Sequence, residues 1–152
     1  MSRFREVIGQ KVLEREQAAR IGTVASLIVD CSERRVVALR VRGVKGRKDL
    51  VHWNDVTGAG PDAVVISGVG ALREATSERE RQARAGGLDF LGKRVLTDRG
   101  IEAGTVQDVE FDPGSGALRV LLTTSGPLEA DRLRALGSYA VIVRAQPISS
   151  RE

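Results

Sequence analysis

Residues 104–112 spell GTVQDVEFD and residues 22–30 spell GTVASLIVD, one phrase written twice with an offset of 82. The text on either side repeats as well. Upstream, IGQKVL at 8–13 answers LGKRVL at 91–96, with Gly9 on Gly92 and Val12 on Val95. Downstream, SERRVVALRV at 32–41 answers GSGALRVLLT at 114–123, and VHWNDVTGAGPDAVVI at 51–66 answers LEADRLRALGSYAVIV at 128–143. Four blocks in the same order make the chain two copies of one unit. The copies span 1–70 and 88–145, separated by a linker at 71–87 and followed by a tail at 146–152 that is expected to be disordered.

Each unit reads as β. Short runs of Val, Ile and Leu are broken by turn chemistry, most clearly DPGSG at 112–116, where Pro113 presets φ and two glycines supply turn positions. Val109 and Phe111 share one parity while Val106 sits on the other, and Leu27, Val29 and Val24 repeat that switch. A straight strand keeps one buried parity, so a bend or bulge is expected near Gln107–Asp108. The fold expected is all-β: two small antiparallel barrels in tandem, joined by a short helical or flexible linker and packed as a pseudo-twofold pair. In the linker, Ser77 and Glu80 have capping-box spacing and Gly86–Gly87 would end a short helix. No apolar stripe runs along it, which predicts a solvated tether.

Composition narrows the classes. Of 152 residues, 41% are hydrophobic but only 3% aromatic, so the core must be aliphatic. Half of such a chain buries too little surface to be robust alone, which favours packing the copies together. The lone Cys31 forbids an internal disulfide, and MSRFREVIGQK lacks the apolar stretch of a signal peptide; a cytoplasmic protein without membrane insertion is expected. The net charge of +4 is uneven: residues 1–70 carry twelve basic and eight acidic side chains, residues 88–152 eight and nine.

The run LGKRVLTDRGIEAGTVQDVEFDPGSGALRVLLT, with its apolar–Gly–x–x–Val strand, Gly–x–Val–x–Asp phrase and Asp–x–x–x–Gly hairpin, resembles the opening of a PRC-barrel domain. GSYAVIV at 137–143 is similar to that family's closing strand. The first copy lacks the turn glycine that Gly100 provides and has Ser26 where the second has Asp108. The resemblance implies a small β-barrel used as an adaptor, as in the reaction-centre H subunit and a ribosome-maturation factor, without catalysis. Stand-alone members of that family tend to pair, so a tandem chain resembles a fused pair. In the second copy Leu118, Val120 and Leu122 alternate with Arg119, Leu121 and Thr123, leaving apolar residues on both faces. A strand apolar on both faces needs a second layer, which makes Leu118, Val120 and Leu122 the candidate inter-barrel interface.

No catalytic constellation is present. One histidine, His52, and one cysteine do not make a His/Cys metal set, and neither a P-loop nor a dinucleotide fingerprint occurs. Asp108, Glu110 and Asp112 share a strand face, which most simply is solvated. No enzyme, metal or cofactor is expected. The functional signal is RVRGVKGRKD at 40–49, where Arg40 and Arg42 alternate on a strand and Lys45, Arg47 and Lys48 ride a glycine-bearing loop. The second copy has only TSG at this place. Three readings stay open: a solvated hairpin tip, a surface for an acidic protein partner, and a nucleic-acid contact. Trp53, the single tryptophan, is either core or an anchor beside that loop.

Overall fold

The computed structural model describes residues 1–145; the tail expected at 146–152 lies outside the described residues. In chain order the first repeat forms β1 (Ser2–Arg3), α1 (Phe4–Val7), β2 (Lys11–Glu14), β3 (Arg20–Asp30), β4 (Arg35–Arg42), β5 (Leu50–His52), β6 (Val56–Ala59) and β7 (Val64–Ile66). The linker carries α2 (Glu78–Arg84). The second repeat forms β8 (Arg94–Thr97), β9 (Glu102–Phe111), β10 (Leu118–Thr123), β11 (Gly126–Glu129), β12 (Leu133–Leu136) and β13 (Ala140–Val143).

The two sheets have one topology. The first runs β5-β4-β3-β2-β7-β6 and the second β11-β10-β9-β8-β13-β12. Two all-β PRC-like units are present, but closed antiparallel barrels are not. Each sheet contains one parallel pair, β2 with β7 and β8 with β13. Its edge strands share no ladder, yet the chain passes from β5 to β6 through only the 3-10 turn Trp53–Asp55, and from β11 to β12 through Ala130–Arg132. The edges are thus held one turn apart by covalent connection rather than hydrogen bonds.

The repeated phrase has a mechanical cause. In each copy the third residue of the long strand is a glycine over which the neighbouring hairpin crosses. A Cβ on Gly22 would run into the Arg42 carbonyl oxygen and stand 2.8 Å from Val41 Cγ1. On Gly104 it would stand 2.8 Å from Thr124 Oγ1 and 2.9 Å from Ser125 Oγ, at a φ of +95°. Three residues on, the ladders skip Ala25 between the pairs Val24–Val41 and Ser26–Arg40, and skip Gln107 between Thr123–Val106 and Leu122–Asp108. These bulges produce the parity switch in the sequence and let one strand serve two curved faces.

The copies meet across a local twofold axis. Val36 N–H donates to the Gly116 carbonyl at 2.8 Å, and Leu118 N–H donates to the Arg34 carbonyl at 2.9 Å. Arg35 faces Ala117 in an antiparallel bridge. Arg35 and Ala117 are 82 positions apart, and the two hydrogen bonds on either side, offset by 80 and 84, exchange when the copies are swapped, so the contact is isologous. The scarce aromatics gather at this junction. Phe4 lies edge-on to Phe90 and Phe111 with ring centroids 6.2 and 5.3 Å away, and Trp53 meets Phe111 at 5.9 Å. Such edge contacts contribute about 0.5–1.5 kcal/mol each beyond area burial. The amino-terminal segment is shared: β1 pairs with β9 of the other repeat, and Arg5 N–H donates to Asp108 Oδ1 at 3.1 Å. One continuous core spans both copies.

Candidate functional site

The basic segment begins on β4, where Arg40 sits opposite Ser26 and Leu50, and Arg42 opposite Thr23. Beyond it Gly43 and Gly46 take positive φ, and half-buried Val44 packs on the core and anchors the loop. Arg42, Lys45, Arg47 and Lys48 are exposed, whereas Arg40 is half-buried. The difference has a cause in Asp49, which closes the loop and is only 5% exposed. A buried carboxylate needs compensating charge and hydrogen bonds. Arg40 Nε lies 3.5 Å from it, and Arg84 Nε of α2 donates to both of its oxygens at 3.0 and 2.9 Å.

The linker is therefore not a free tether. Its leading segment lengthens the first sheet, because Leu50 N–H donates to the Arg73 carbonyl at 3.0 Å and Arg73 N–H returns to the Leu50 carbonyl at 2.9 Å. The Arg73 guanidinium donates to the Glu80 carboxylate at 3.0 and 2.7 Å, and Glu80 also accepts the Thr76 N–H at 2.8 Å. The Arg73 guanidinium, aided by Thr76, holds the Glu80 carboxyl down at about 2. Ser77 Oγ caps the helix by accepting the Glu80 N–H at 3.1 Å. Half of the expected capping box forms, and Glu80 spends its carboxylate on Thr76 and Arg73 instead of the Ser77 amide.

Docking α2 beside the basic loop creates an open groove of about 430 Å³ lined by Arg40, Arg47, Arg81 and Arg84, with Glu74, Ala75 and Ala85. Four arginines border it, two of them held by Asp49, and Glu74 is the one acid among the lining residues. Sequence reasoning identified the loop but missed Asp49, Glu74, Arg81 and Arg84. The available signal was the one-turn spacing of Arg81 and Arg84, which puts both on one helix face.

The other singled-out residues fall elsewhere. Trp53 is withdrawn from the partner surface: it is 3% exposed, and its indole N–H donates to the Pro113 carbonyl of the other repeat at 3.0 Å. Leu118 is buried beside the twofold contact. Val120 and Leu122 are half-buried and pair within their own sheet, because a bulge at Arg119 turns the strand so that Leu121 takes the core position. Lys45 and Lys48 stay on the loop outside the groove lining. Arg34 and Arg35 serve the repeat junction, Arg34 Nε donating to the Leu133 carbonyl at 3.1 Å. His52 is exposed, its Nδ1 3.4 Å from an Arg73 terminal nitrogen. Burial pushes the Cys31 thiol up, so it stays protonated at neutral pH and is a poor nucleophile. The acidic row disperses: Asp108 binds amides, Glu110 pairs with Arg3 at 3.0 Å, and Asp112 accepts the Gly114 N–H at 2.8 Å. Among the described residues no group of three or more His, Cys, Asp or Glu is placed to hold a metal, and no helix is long and apolar enough to cross a membrane.

The family model of the PRC-barrel domain matches residues 1–73 and 87–144. The chain belongs to the PRC-barrel domain family. The two matched segments are the two repeats, and the unmatched residues between them carry α2. No curated protein matches the chain. PRC-barrel domains are generally non-catalytic and mediate protein interactions.

Proposed function

We propose that this PRC-barrel protein is a cytoplasmic, non-catalytic adaptor whose first repeat and linker helix together grip an acidic segment of a protein partner. The observation carrying this reading is the groove between the 43–49 loop and α2, where Arg40, Arg47, Arg81 and Arg84 converge. Arginine forks suit carboxylates through paired, charge-assisted hydrogen bonds. Arg42, Lys45 and Lys48 extend the positive field beyond the groove and would speed encounter with an acidic surface.

The test is affinity capture from the source cell's lysate, with and without nuclease, beside a variant carrying Arg42, Lys45, Arg47, Lys48 and Arg81 changed to Gln. Arg40 and Arg84 stay native because they hold Asp49. Retention of an acidic protein after nuclease, and its loss with the variant, is the expected result. Recovery of RNA that nuclease removes would move the function to nucleic-acid binding. Identical capture by parent and variant would overturn the groove as the binding surface.

A further inference from the structure

Resting on that reading of the groove, we infer that it is built for a phosphoryl group, a phosphate monoester on a side chain of the protein partner. Arg40 and Arg84 spend only Nε on Asp49, Arg81 spends only Nε on Glu78, and Arg47 has no acceptor among the described residues. The terminal nitrogens of all four guanidiniums thus have no protein acceptor among the described residues, although all four line one groove. Asp49 pins two of them from behind, so much of their ordering is complete before a ligand arrives.

Ligand charge and acceptor number decide between candidates. A carboxylate offers one charge on two oxygens, whereas a phosphate monoester carries about two charges on three strong acceptor oxygens at neutral pH. Several convergent forks match the second. Glu74 is the one acid in the lining and repels any anion, so a ligand must engage several guanidinium forks at once to outweigh it. A nucleic-acid strand fits less well. Its phosphodiesters carry single charges, and its bases would need stacking platforms. Trp53, Phe4, Phe90 and Phe111 are buried, and exposed Tyr139 belongs to the second repeat.

The experiment titrates the full chain, followed by backbone amide NMR, with four probes: blocked phosphoserine, blocked glutamate, inorganic phosphate and a short single-stranded RNA. The parent is compared with Arg47→Gln/Arg81→Gln, which leaves the Arg40–Asp49–Arg84 cluster intact. The expected result is that phosphoserine shifts the 43–49 loop and α2 and binds about tenfold more tightly than glutamate, an advantage the double variant loses. Inorganic phosphate should compete at the same amides. Equal affinity for glutamate and phosphoserine would overturn the phosphoryl inference while leaving the acidic-partner reading standing. Preference for RNA at the same amides would overturn both. Absence of any shift with millimolar phosphoserine and phosphate would overturn the phosphoryl site, and lysate capture would then judge the adaptor reading separately.

Discussion

Changing Asp49 to Asn should loosen the arginine groove while making the protein more positive, and those two effects pull binding in opposite directions. Asn preserves shape and one acceptor oxygen but removes the charge that Arg84 contacts at 2.9 and 3.0 Å and Arg40 at 3.5 Å. Exposed ion pairs contribute about 0–1 kcal/mol, and losing one member of a buried pair costs about 3–5 kcal/mol. Asp49 is buried, but the Arg40 and Arg84 side chains are 30% and 35% exposed, so the loss should fall between, at about 2 kcal/mol. For a chain of this size that lowers Tm by about 4–8 °C. Helix α2 spans seven residues and buries only Ala83, too little to stay helical without its anchors. If the loss is local, the Arg81 and Ala85 amides should exchange about thirtyfold faster. Affinity for an acidic probe should fall despite the added charge, because ordered forks are lost. Unchanged exchange in α2, with affinity rising, would refute the argument that Asp49 organises the groove.

Three further outcomes follow from the same structure. Gly22→Ala should destabilise the protein by about 2–4 kcal/mol in urea unfolding, because the new methyl meets the Arg42 carbonyl, which cannot retreat without moving β4. Trp53→Phe keeps an aromatic ring but removes the donor to the Pro113 carbonyl, and should cost about 1–2 kcal/mol in the same assay. Glu80 supplies a pH signature: its carboxyl is lowered from 4.5 to about 2, so its contribution is complete above pH 4.5 and disappears as pH falls through about 2. With solvent screening, the stability lost across that window should be about 1–2 kcal/mol, and Glu80→Gln should flatten that part of the pH–stability curve.

What could be read from the letters was what repeats. The glycine opening each phrase, the strand pattern and the parity switch at Gln107 all reflect local backbone requirements that each copy had to meet. The switch in particular is a direct trace of the bulge opposite Leu122 and Thr123. What could not be read arises from pairings between distant segments with no periodic signature. Two residues, Ser2 and Arg3, suffice to join the other repeat's sheet, and no pattern marks so short a strand. The parallel pairing of β2 with β7 is set by how the sheet rolls, not by either strand's composition. For the groove, the basic loop was visible as a charge run, but its far wall was not. A helix with no apolar stripe reads as solvated, and α2 docks through ion pairs to Asp49 and Arg73 instead. Trp53 was legible as important, and its direction was set by a carbonyl in the other repeat.

Two copies of one unit form a single cooperative body across their own twofold axis. Phe4 tests it most directly, since it belongs to the first repeat, is 2% exposed and sits between Phe90 and Phe111 of the second. Phe4→Ala should cost about 3–5 kcal/mol. The measurement is urea unfolding followed in parallel by Trp53 fluorescence and by amide exchange at Val141 and Val143. One transition, moved to the same lower midpoint by both probes, is the predicted result. Two transitions, or β13 amides that keep the parent midpoint while Trp53 shifts, would contradict it.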